Sequence, residues 1–285
     1  MGKLTGKTAV ITGSSRGLGL AIAEAYAREG AAVVIASRTA AAVEKAVRSL
    51  TDQGLHATGL ACDAADLEQV KALAELAVAR FGGLDIWVNN AGTGAPYGPT
   101  VSIDPDLFKR VVNTNIYGVY HGSLTAMRYF TRQGSGKLIN LVGRGDKKPV
   151  PLQNAYASSK AWVRSFTLAL AAEYRESGVG VYAFNPGLVL TEMLTEAEAV
   201  AGYAHQMSPL NTVIRLWGNP PEVPAQKALW LASSATDGKT GLAVDVLSPG
   251  MLVGGALREL GRRILGRPPR FPETTFREVP PFNSD

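Results

Sequence analysis

The sequence predicts an α/β fold, with one doubly wound, mostly parallel sheet of about seven strands. Short apolar runs rich in β-branched residues alternate with helical runs along most of the chain. A glycine-rich turn joins the first apolar run to an alanine-rich helical run, which is how such sheets commonly begin. No repeat of solenoid period and no linker divides the 285 residues, so we expect a single domain.

The apolar runs predict seven strands, at residues 7–12, 32–36, 56–61, 84–88, 137–142, 179–184 and 242–247. After a first helix that ends near Gly30, further helices are predicted at residues 40–53, 66–81, 107–132, 155–177 and 221–233. Two stretches break this alternation. The first, residues 191–219, contains no predicted strand, and the second, residues 261–285, is rich in proline and arginine and predicts an extended tail. An additional helix is predicted at residues 251–265, and it overlaps the start of the second stretch.

The composition excludes several classes of protein. A hydrophobic fraction of 46% and a charged fraction of 19% are typical of a soluble globular protein, and no apolar run reaches the roughly 18 residues of a membrane span. One cysteine, Cys62, excludes an internal disulfide and favours the cytoplasm. No histidine or cysteine cluster has metal-ligand spacing, so we expect no metal. The net charge of +5 is spread out, and the basic patch at residues 258–270 favours a solvated tail over a nucleic-acid site.

Glycines in the first strand–helix turn predict a dinucleotide site. Gly13, Gly17 and Gly19 allow a pyrophosphate to approach the backbone, and the helix that follows supplies N–H groups and a partial positive charge. The second strand ends at Ser37 and Arg38, without the acid that commonly binds the ribose of NAD. Together with Arg16, these residues favour the 2′-phosphate of NADP. The alternative is that Arg38 only stacks on the adenine.

Tyr156 and Lys160 are four residues apart in a predicted helix and therefore share one face, one turn apart. An ammonium beside a phenol stabilises the phenolate, which predicts a lowered tyrosine pKa and a proton carrier for a substrate oxygen. The alternative is a surface pair on an ordinary amphipathic helix, because this spacing is common by chance.

Six motifs occur in the order typical of one family. They are the run Thr12-Gly13-Ser14-Ser15-Arg16-Gly17-Leu18-Gly19, Asp63 after the third strand, Asn89-Asn90-Ala91-Gly92, Asn115, Tyr156 with Lys160, and Pro186-Gly187 with Thr191. Over roughly residues 5–250 the chain resembles the short-chain dehydrogenase/reductase family. The resemblance implies a single-domain Rossmann-type fold, with an NADP-binding catalytic domain over residues 1–255, a substrate lid at residues 191–219, and a C-terminal extension over residues 256–285.

The resemblance also assigns roles to individual residues. Tyr156 is expected to be the catalytic acid/base, Lys160 to hold the nicotinamide ribose, and Asn115 to lie in a kinked helix and support a water relay to Lys160. Asp63 and Ala64 are expected at the adenine. The remaining cofactor contacts are expected from Gly13, Ser15, Arg16, Gly17, Leu18, Gly19, Ser37, Arg38, Asn90, Ala91, Gly92, Tyr156, Lys160, Pro186, Gly187, Val189 and Thr191.

One position departs from the family pattern. A serine usually stands thirteen residues before the tyrosine, and here that position is Gly143. Arg144, Asp146 and Asn154 are candidates for a polar group near the substrate, and an arginine in particular could stabilise an oxyanion. The alternative is that Arg144 and Asp146 pair with each other on their loop.

Three loops at the carboxyl ends of the strands are expected to bind the substrate, at residues 93–102, 144–154 and 191–219. Expected substrate contacts are Gly143, Arg144, Asn154 and Met193. Apolar residues in the lid fit a partly apolar small molecule, or simply pack the lid on its own domain.

The sequence as a whole favours an NADP(H)-dependent oxidoreductase that acts on a carbonyl or secondary alcohol. The missing serine leaves two alternatives open: a non-redox reaction such as dehydration, isomerisation or cyclisation, and a cofactor-binding scaffold without turnover. The expected partners are a small molecule and further copies of the chain, as a homodimer or homotetramer, with no nucleic acid and no membrane.

Overall fold

A seven-stranded parallel sheet forms the centre of the molecule, with strand order β3-β2-β1-β4-β5-β6-β8. This computed structural model describes residues 2–247, 249–266, 268, 271, 274 and 276–282. The central strands are β1 (Thr8–Thr12), β2 (Ala32–Ser37), β3 (Ala57–Ala61), β4 (Ile86–Asn89), β5 (Gly136–Leu141), β6 (Val179–Asn185) and β8 (Leu242–Asp245). All seven predicted strands and the doubly wound fold class are confirmed.

Helices cover both faces of the sheet, which explains why the strands read as continuous apolar runs. The helices are α1 (Gly17–Arg28), α2 (Ala40–Thr51), α3 (Leu67–Phe81), α4 (Pro105–Val112), α5 (Gly118–Gln133), α6 (Asn154–Glu173), α7 (Glu192–Thr195), α8 (Ser208–Trp217), α9 (Glu222–Ala232) and α10 (Pro249–Ile264). The core on one face joins α1, α2 and α9, and the core on the other joins mainly α3 and α5.

The winding of the sheet reverses between β1 and β4, which are neighbours although two strands separate them in the sequence. The carboxyl ends of these two strands therefore diverge into connections on opposite faces and leave a crevice between them. This crevice is the place where open α/β sheets bind ligands, and the glycine-rich turn opens into it.

The long helix predicted at residues 107–132 is interrupted by one π-helical turn. The turn spans Asn113–Tyr117, between α4 and α5, and Asn115 lies buried within it. Its side-chain oxygen accepts a hydrogen bond from Thr93 N at 2.9 Å, and its Nδ2 donates to Thr93 O at 3.0 Å. A π turn commonly marks a functional site, because it displaces one residue out of the regular helical path.

A buried amide pair connects the sheet to the helices beside the site. Asn89 Nδ2 donates to Asn140 Oδ1 at 2.8 Å, which joins the ends of β4 and β5. Asn140 Nδ2 in turn donates to Thr167 Oγ1 of α6 at 3.0 Å, and Asn89 Nδ2 also donates to Ser123 Oγ of α5. Since buried amides without partners are costly, this network fixes α5 and α6 against the sheet.

The lid, residues 191–219, does contain a strand, so the prediction that it has none was wrong. β7 (Glu198–Val200) pairs in parallel with β9 (Arg277–Val279), which lies in the region predicted to be an extended tail. Each strand has three residues and its partner is nearly eighty residues away, so neither produces an alternating pattern that a local reading could detect. The C-terminal segment, residues 276–282, therefore returns to the lid, and Phe282 N donates beyond it to Ser102 O at 3.0 Å.

The additional helix predicted at residues 251–265 is confirmed as α10. It packs on α8 of the lid at Gly255, where any side chain would overlap Leu216 O and approach the Trp217 ring. The expected boundary at residue 256 falls inside this helix. The lid, α10 and the C-terminal segment thus contact one another on one side of the molecule.

Removal of residues 274–285 should loosen the lid, because it removes the backbone hydrogen bonds of β9 and the contact of Phe276 with the 93–102 loop. We expect thermal unfolding about 2–4 °C lower, the shift that 1 kcal/mol produces in a chain of this size. Limited trypsin digestion should also cut within residues 191–219 at an earlier time. Deletion of residues 283–285 alone is the control, and unchanged digestion of the lid in the longer deletion would contradict the result.

Candidate active site

The glycine-rich turn between β1 and α1 forms a cradle that only glycines can line. Gly13 has φ +63°, and a Cβ there would lie 2.8 Å from Ala91 Cα. A Cβ at Gly19 would overlap Gly13 O. Asn90 Nδ2 holds the turn from the β4 side by donating to Thr12 O and Gly13 O at 2.9 and 3.0 Å. The turn therefore leaves its backbone open towards the crevice, as pyrophosphate binding requires.

The end of β2 presents a serine hydroxyl and an arginine that are candidates for binding a ligand. Ser37 Oγ is buried and has no hydrogen-bond partner among the described residues, and Arg38 beside it is exposed. Arg16, the second arginine expected here, forms an ion pair with Glu192 at the start of α7. One predicted arginine is thus engaged with the lid, while the orphaned serine hydroxyl fits a ligand with hydrogen-bonding oxygens.

The residues expected at the adenine end and at the nicotinamide end of the cofactor site make specific contacts in the structure. At the adenine end, Asp63 Oδ1 accepts from Ala65 N at 3.0 Å, and Ala64 is buried against Gly118. At the nicotinamide end, Gly187 has φ +72° and lies close to Leu247. A Cβ at Gly17 would lie 3.2 Å from Thr191 Cγ2, so the first residue of the lid touches the glycine-rich turn. The structure places Ser15 in that turn, Leu18 in the first turn of α1, and Pro186 and Val189 before the lid.

Tyr156, Lys160 and Asn115 come together at the carboxyl edge of the sheet. Lys160 is buried, its Nζ donates to Leu141 O at 3.0 Å, and it lies 5.5 Å from the centroid of the Tyr156 ring. Asn115 Nδ2 donates to Ser159 Oγ at 3.0 Å, one residue before Lys160. Gly92 lies between the two polar groups, because a Cβ there would be 3.5 Å from Asn115 Oδ1 and 3.7 Å from Lys160 Nζ.

The electrostatics of the tyrosine differ from the prediction. Burial raises the pKa of Tyr156, and the nearby Tyr97 and Asp146 raise it further, so the expected lowering by Lys160 is wrong for this structure. Burial also lowers the pKa of Lys160 to about 8. Desolvation disfavours both charged forms, and here it outweighs the attraction between phenolate and ammonium. Tyr156 is consequently a neutral phenol at pH 7, the form that can donate a proton.

Gly143 lies directly beside the Tyr156 hydroxyl. A Cβ built on Gly143 would lie 2.7 Å from Tyr156 Oη, so the hydroxyl occupies the space that a side chain at this position would need. The two expected stand-ins lie further out: Asn154 Nδ2 donates to Thr100 Oγ1 at 3.2 Å, and Arg144 is exposed.

Asp146 does not pair with Arg144, so that alternative is wrong. Its carboxylate accepts from Arg164 at 3.2 Å and from Asn185 Nδ2 at 3.3 Å, because the loop turns it inward under the sheet edge. Met193, the fourth expected substrate contact, is 54% exposed on α7.

A family model for short chain dehydrogenases matches residues 7–201. The chain belongs to the short-chain dehydrogenase/reductase family.

Relatives within this family support the assignment over most of the chain. The sequence is 36% identical to 3beta-hydroxysteroid dehydrogenase 1 of Eggerthella lenta over 249 residues, which is 85% of this chain and 93% of that protein. It is 32% identical to 4-formylbenzenesulfonate dehydrogenase TsaC1/TsaC2 of Comamonas testosteroni over 85% of this chain and 97% of that protein.

Solved structures of the family show the same fold. The 3-ketoacyl-(acyl-carrier-protein) reductase of Brucella melitensis, complexed with NADH, superposes with a TM-score of 0.76 at 32% identity, covering 85% of this chain and 97% of that one. A gluconate 5-dehydrogenase of Burkholderia cenocepacia, in complex with NADP and tartrate, superposes with a TM-score of 0.75 at 29% identity, covering 88% and 96%.

Sequence reasoning gave no role to Tyr97, which the structure connects both to the lid and to Gln153 just before α6. Its N–H donates to Glu198 O and its carbonyl accepts from Val200 N, both at 2.8 Å, so it extends the lid sheet. Its hydroxyl accepts from Gln153 Nε2 at 2.9 Å. The only sequence signal was a tyrosine between two prolines in the 93–102 loop, and that signal does not reveal which way the ring points.

Proposed function

We propose that this short-chain dehydrogenase/reductase is an NADP(H)-dependent oxidoreductase that interconverts a carbonyl and a secondary alcohol. The observation that carries the proposal is the cluster of Tyr156, Lys160 and Asn115 at the sheet edge next to the glycine-rich cradle. The relatives reported above are named as dehydrogenases and reductases, which supports the same reaction class.

The residues of the cluster have complementary tasks. NADP(H), when bound in the cradle, would supply or accept the hydride. In the reductive direction the neutral Tyr156 phenol donates its proton to the carbonyl oxygen. The Lys160 ammonium, 5.5 Å from the ring centroid, then stabilises the phenolate that remains. Asn115 holds Ser159 and Thr93 together and so positions the helix turn that carries Lys160.

NADP is favoured over NAD by the end of β2. Ser37 Oγ is buried and has no partner in the part of the chain that the structure describes, Arg38 is a nearby exposed cation, and no acid follows the strand. A 2′-phosphate would satisfy the hydroxyl and pair with the guanidinium, whereas ribose hydroxyls alone would leave the guanidinium without an anion.

The surroundings of Tyr156 favour a partly apolar substrate. A small cavity beside its ring has mainly apolar walls, formed by Ala95, Pro96, Ile103, Phe108, Leu152 and Ala155. Gln153 adds a polar side chain to the wall of this cavity, and its Oε1 is buried without a partner among the described residues. The proposed substrate is therefore a small carbonyl compound with an apolar body.

A non-redox reaction in the same pocket is the second candidate, and Gly143 is the observation that favours it. A screen of aldehydes, ketones and secondary alcohols, followed by NADPH absorbance, separates the two. Turnover of any carbonyl compound with NADPH supports the first candidate. No redox turnover, together with tight NADPH binding, supports the second.

Tyr156→Phe should reduce kcat for the best carbonyl substrate by about 10²–10⁴, because the proton donor is removed while the ring remains. NADPH affinity should stay within a few-fold, as measured by isothermal titration. The same change at Tyr174, an exposed tyrosine just after the end of α6, is the control. A Tyr156→Phe enzyme with full kcat would reject the proposed acid/base.

NADPH should bind more tightly than NADH, and Arg38→Asp should flatten or reverse the preference. The reason is that the substitution replaces a cation with an acid that repels a 2′-phosphate and accepts ribose hydroxyls. Isothermal titration of both cofactors measures the ratio of the two affinities. The control is Arg48→Asp, at an exposed arginine that lies on α2. Equal affinities in the unmodified protein would contradict the proposal.

A further inference from the structure

The absence of a side chain at Gly143 leaves the substrate oxygen with one hydrogen-bond donor, the Tyr156 phenol, unless a second group reaches it. We propose that Tyr97 is that group, and that its hydroxyl donates a hydrogen bond to the substrate oxygen beside Tyr156. This inference rests on the carbonyl–alcohol chemistry proposed above and adds a second phenol to it.

The hydrogen bond that Tyr97 already makes leaves its proton available. Gln153 Nε2 donates to Tyr97 Oη at 2.9 Å, so the hydroxyl acts there as the acceptor. A phenol carries a single hydroxyl proton. Because the Tyr97 oxygen accepts from Gln153, this proton does not point to Gln153 and can be donated to another acceptor. Gln153, the residue before α6, lines the small cavity beside the Tyr156 ring, so the Tyr97 hydroxyl bonded to Gln153 lies next to that cavity.

Tyr97 is held firmly enough to position a donor. Both its backbone N–H and its carbonyl form hydrogen bonds with β7. Gly98 N donates to Leu152 O at 2.9 Å, which joins the loop to the segment before α6. The edge of its ring meets the Phe276 ring with centroids 5.8 Å apart. Few torsions remain free, so little conformational entropy is lost when a substrate binds.

The charges around Tyr97 suit a donor and not a base. Burial raises its pKa, so the hydroxyl keeps its proton at neutral pH. The Arg144 guanidinium and the Gln153 amide act in the opposite direction and polarise the O–H bond. Arg144, expected to replace the serine directly, is exposed and is a source of positive charge near Tyr97.

Other hydroxyls and amides near Tyr156 are already engaged. Ser158 Oγ donates to Ala155 O, Ser159 Oγ donates to Tyr156 O, and Asn154 Nδ2 donates to Thr100 Oγ1. Each serine hydroxyl would have to break a hydrogen bond to donate to the substrate, whereas Tyr97 would break none. Asn154 keeps a second amide N–H, but its side chain is exposed and is held towards Thr100.

Tyr97→Phe tests the proposal, because it removes the hydroxyl and keeps the ring and the backbone bonds. With the best carbonyl substrate from the screen, kcat should fall about 10²-fold, the loss typical of one oxyanion donor. Thermal unfolding and NADPH affinity should be unchanged, and Tyr203→Phe in the lid is the control.

Two results separate this inference from the proposed function. If the unmodified protein and Tyr97→Phe turn over at the same rate while Tyr156→Phe is inactive, the role of Tyr97 is rejected and the proposed function stands. If no carbonyl compound is turned over by the unmodified protein, the proposed function itself fails, and this inference fails with it.

Discussion

The buried ammonium of Lys160 is the constraint on which the site depends. A lysine at 4% exposure is costly unless polar groups surround it, and here it has Leu141 O and the Tyr156 ring. Leu141 ends β5, so the sheet register fixes where the ammonium lies. The amide pair of Asn89 and Asn140 fixes α6 on that sheet, and with α6 the Tyr156 phenol. Burial then keeps the phenol protonated and lowers the lysine pKa, so one desolvated environment sets both proton affinities.

The substrate side depends on contacts between segments that are remote in sequence. Tyr97, in the loop after β4, is joined through its backbone to the lid and through its ring to Phe276 of the C-terminal segment. The lid is further tied to the glycine-rich turn by the ion pair of Arg16 and Glu192. Cofactor turn, lid and C-terminal segment are therefore mechanically connected, and a movement of the lid would move the second phenol as well.

Much of the fold could be predicted, because local apolar runs and glycine-containing turns in the sequence indicate the buried parallel strands and the helices that follow them. The cluster of Tyr156, Lys160 and Asn115 was predictable from spacing and motif order. Local patterns could not reveal β7 and β9, two strands of three residues each that are paired across the chain. They could not give the sign of the Tyr156 pKa shift, because desolvation depends on the whole packed environment. The position of Tyr97 could not be predicted either, because it depends on contacts with β7 and Phe276, which are remote in the sequence.

We propose that two phenols, those of Tyr156 and Tyr97, share one substrate oxygen where Gly143 offers no hydroxyl. The most direct measurement is a crystal structure of the protein with NADP and a bound alcohol or ketone identified by the activity screen. We expect the substrate oxygen to lie within about 3 Å of both phenol oxygens, with Gln153 still donating to Tyr97. A substrate oxygen that contacts Tyr156 and a water molecule, with the Tyr97 hydroxyl turned away, would contradict it.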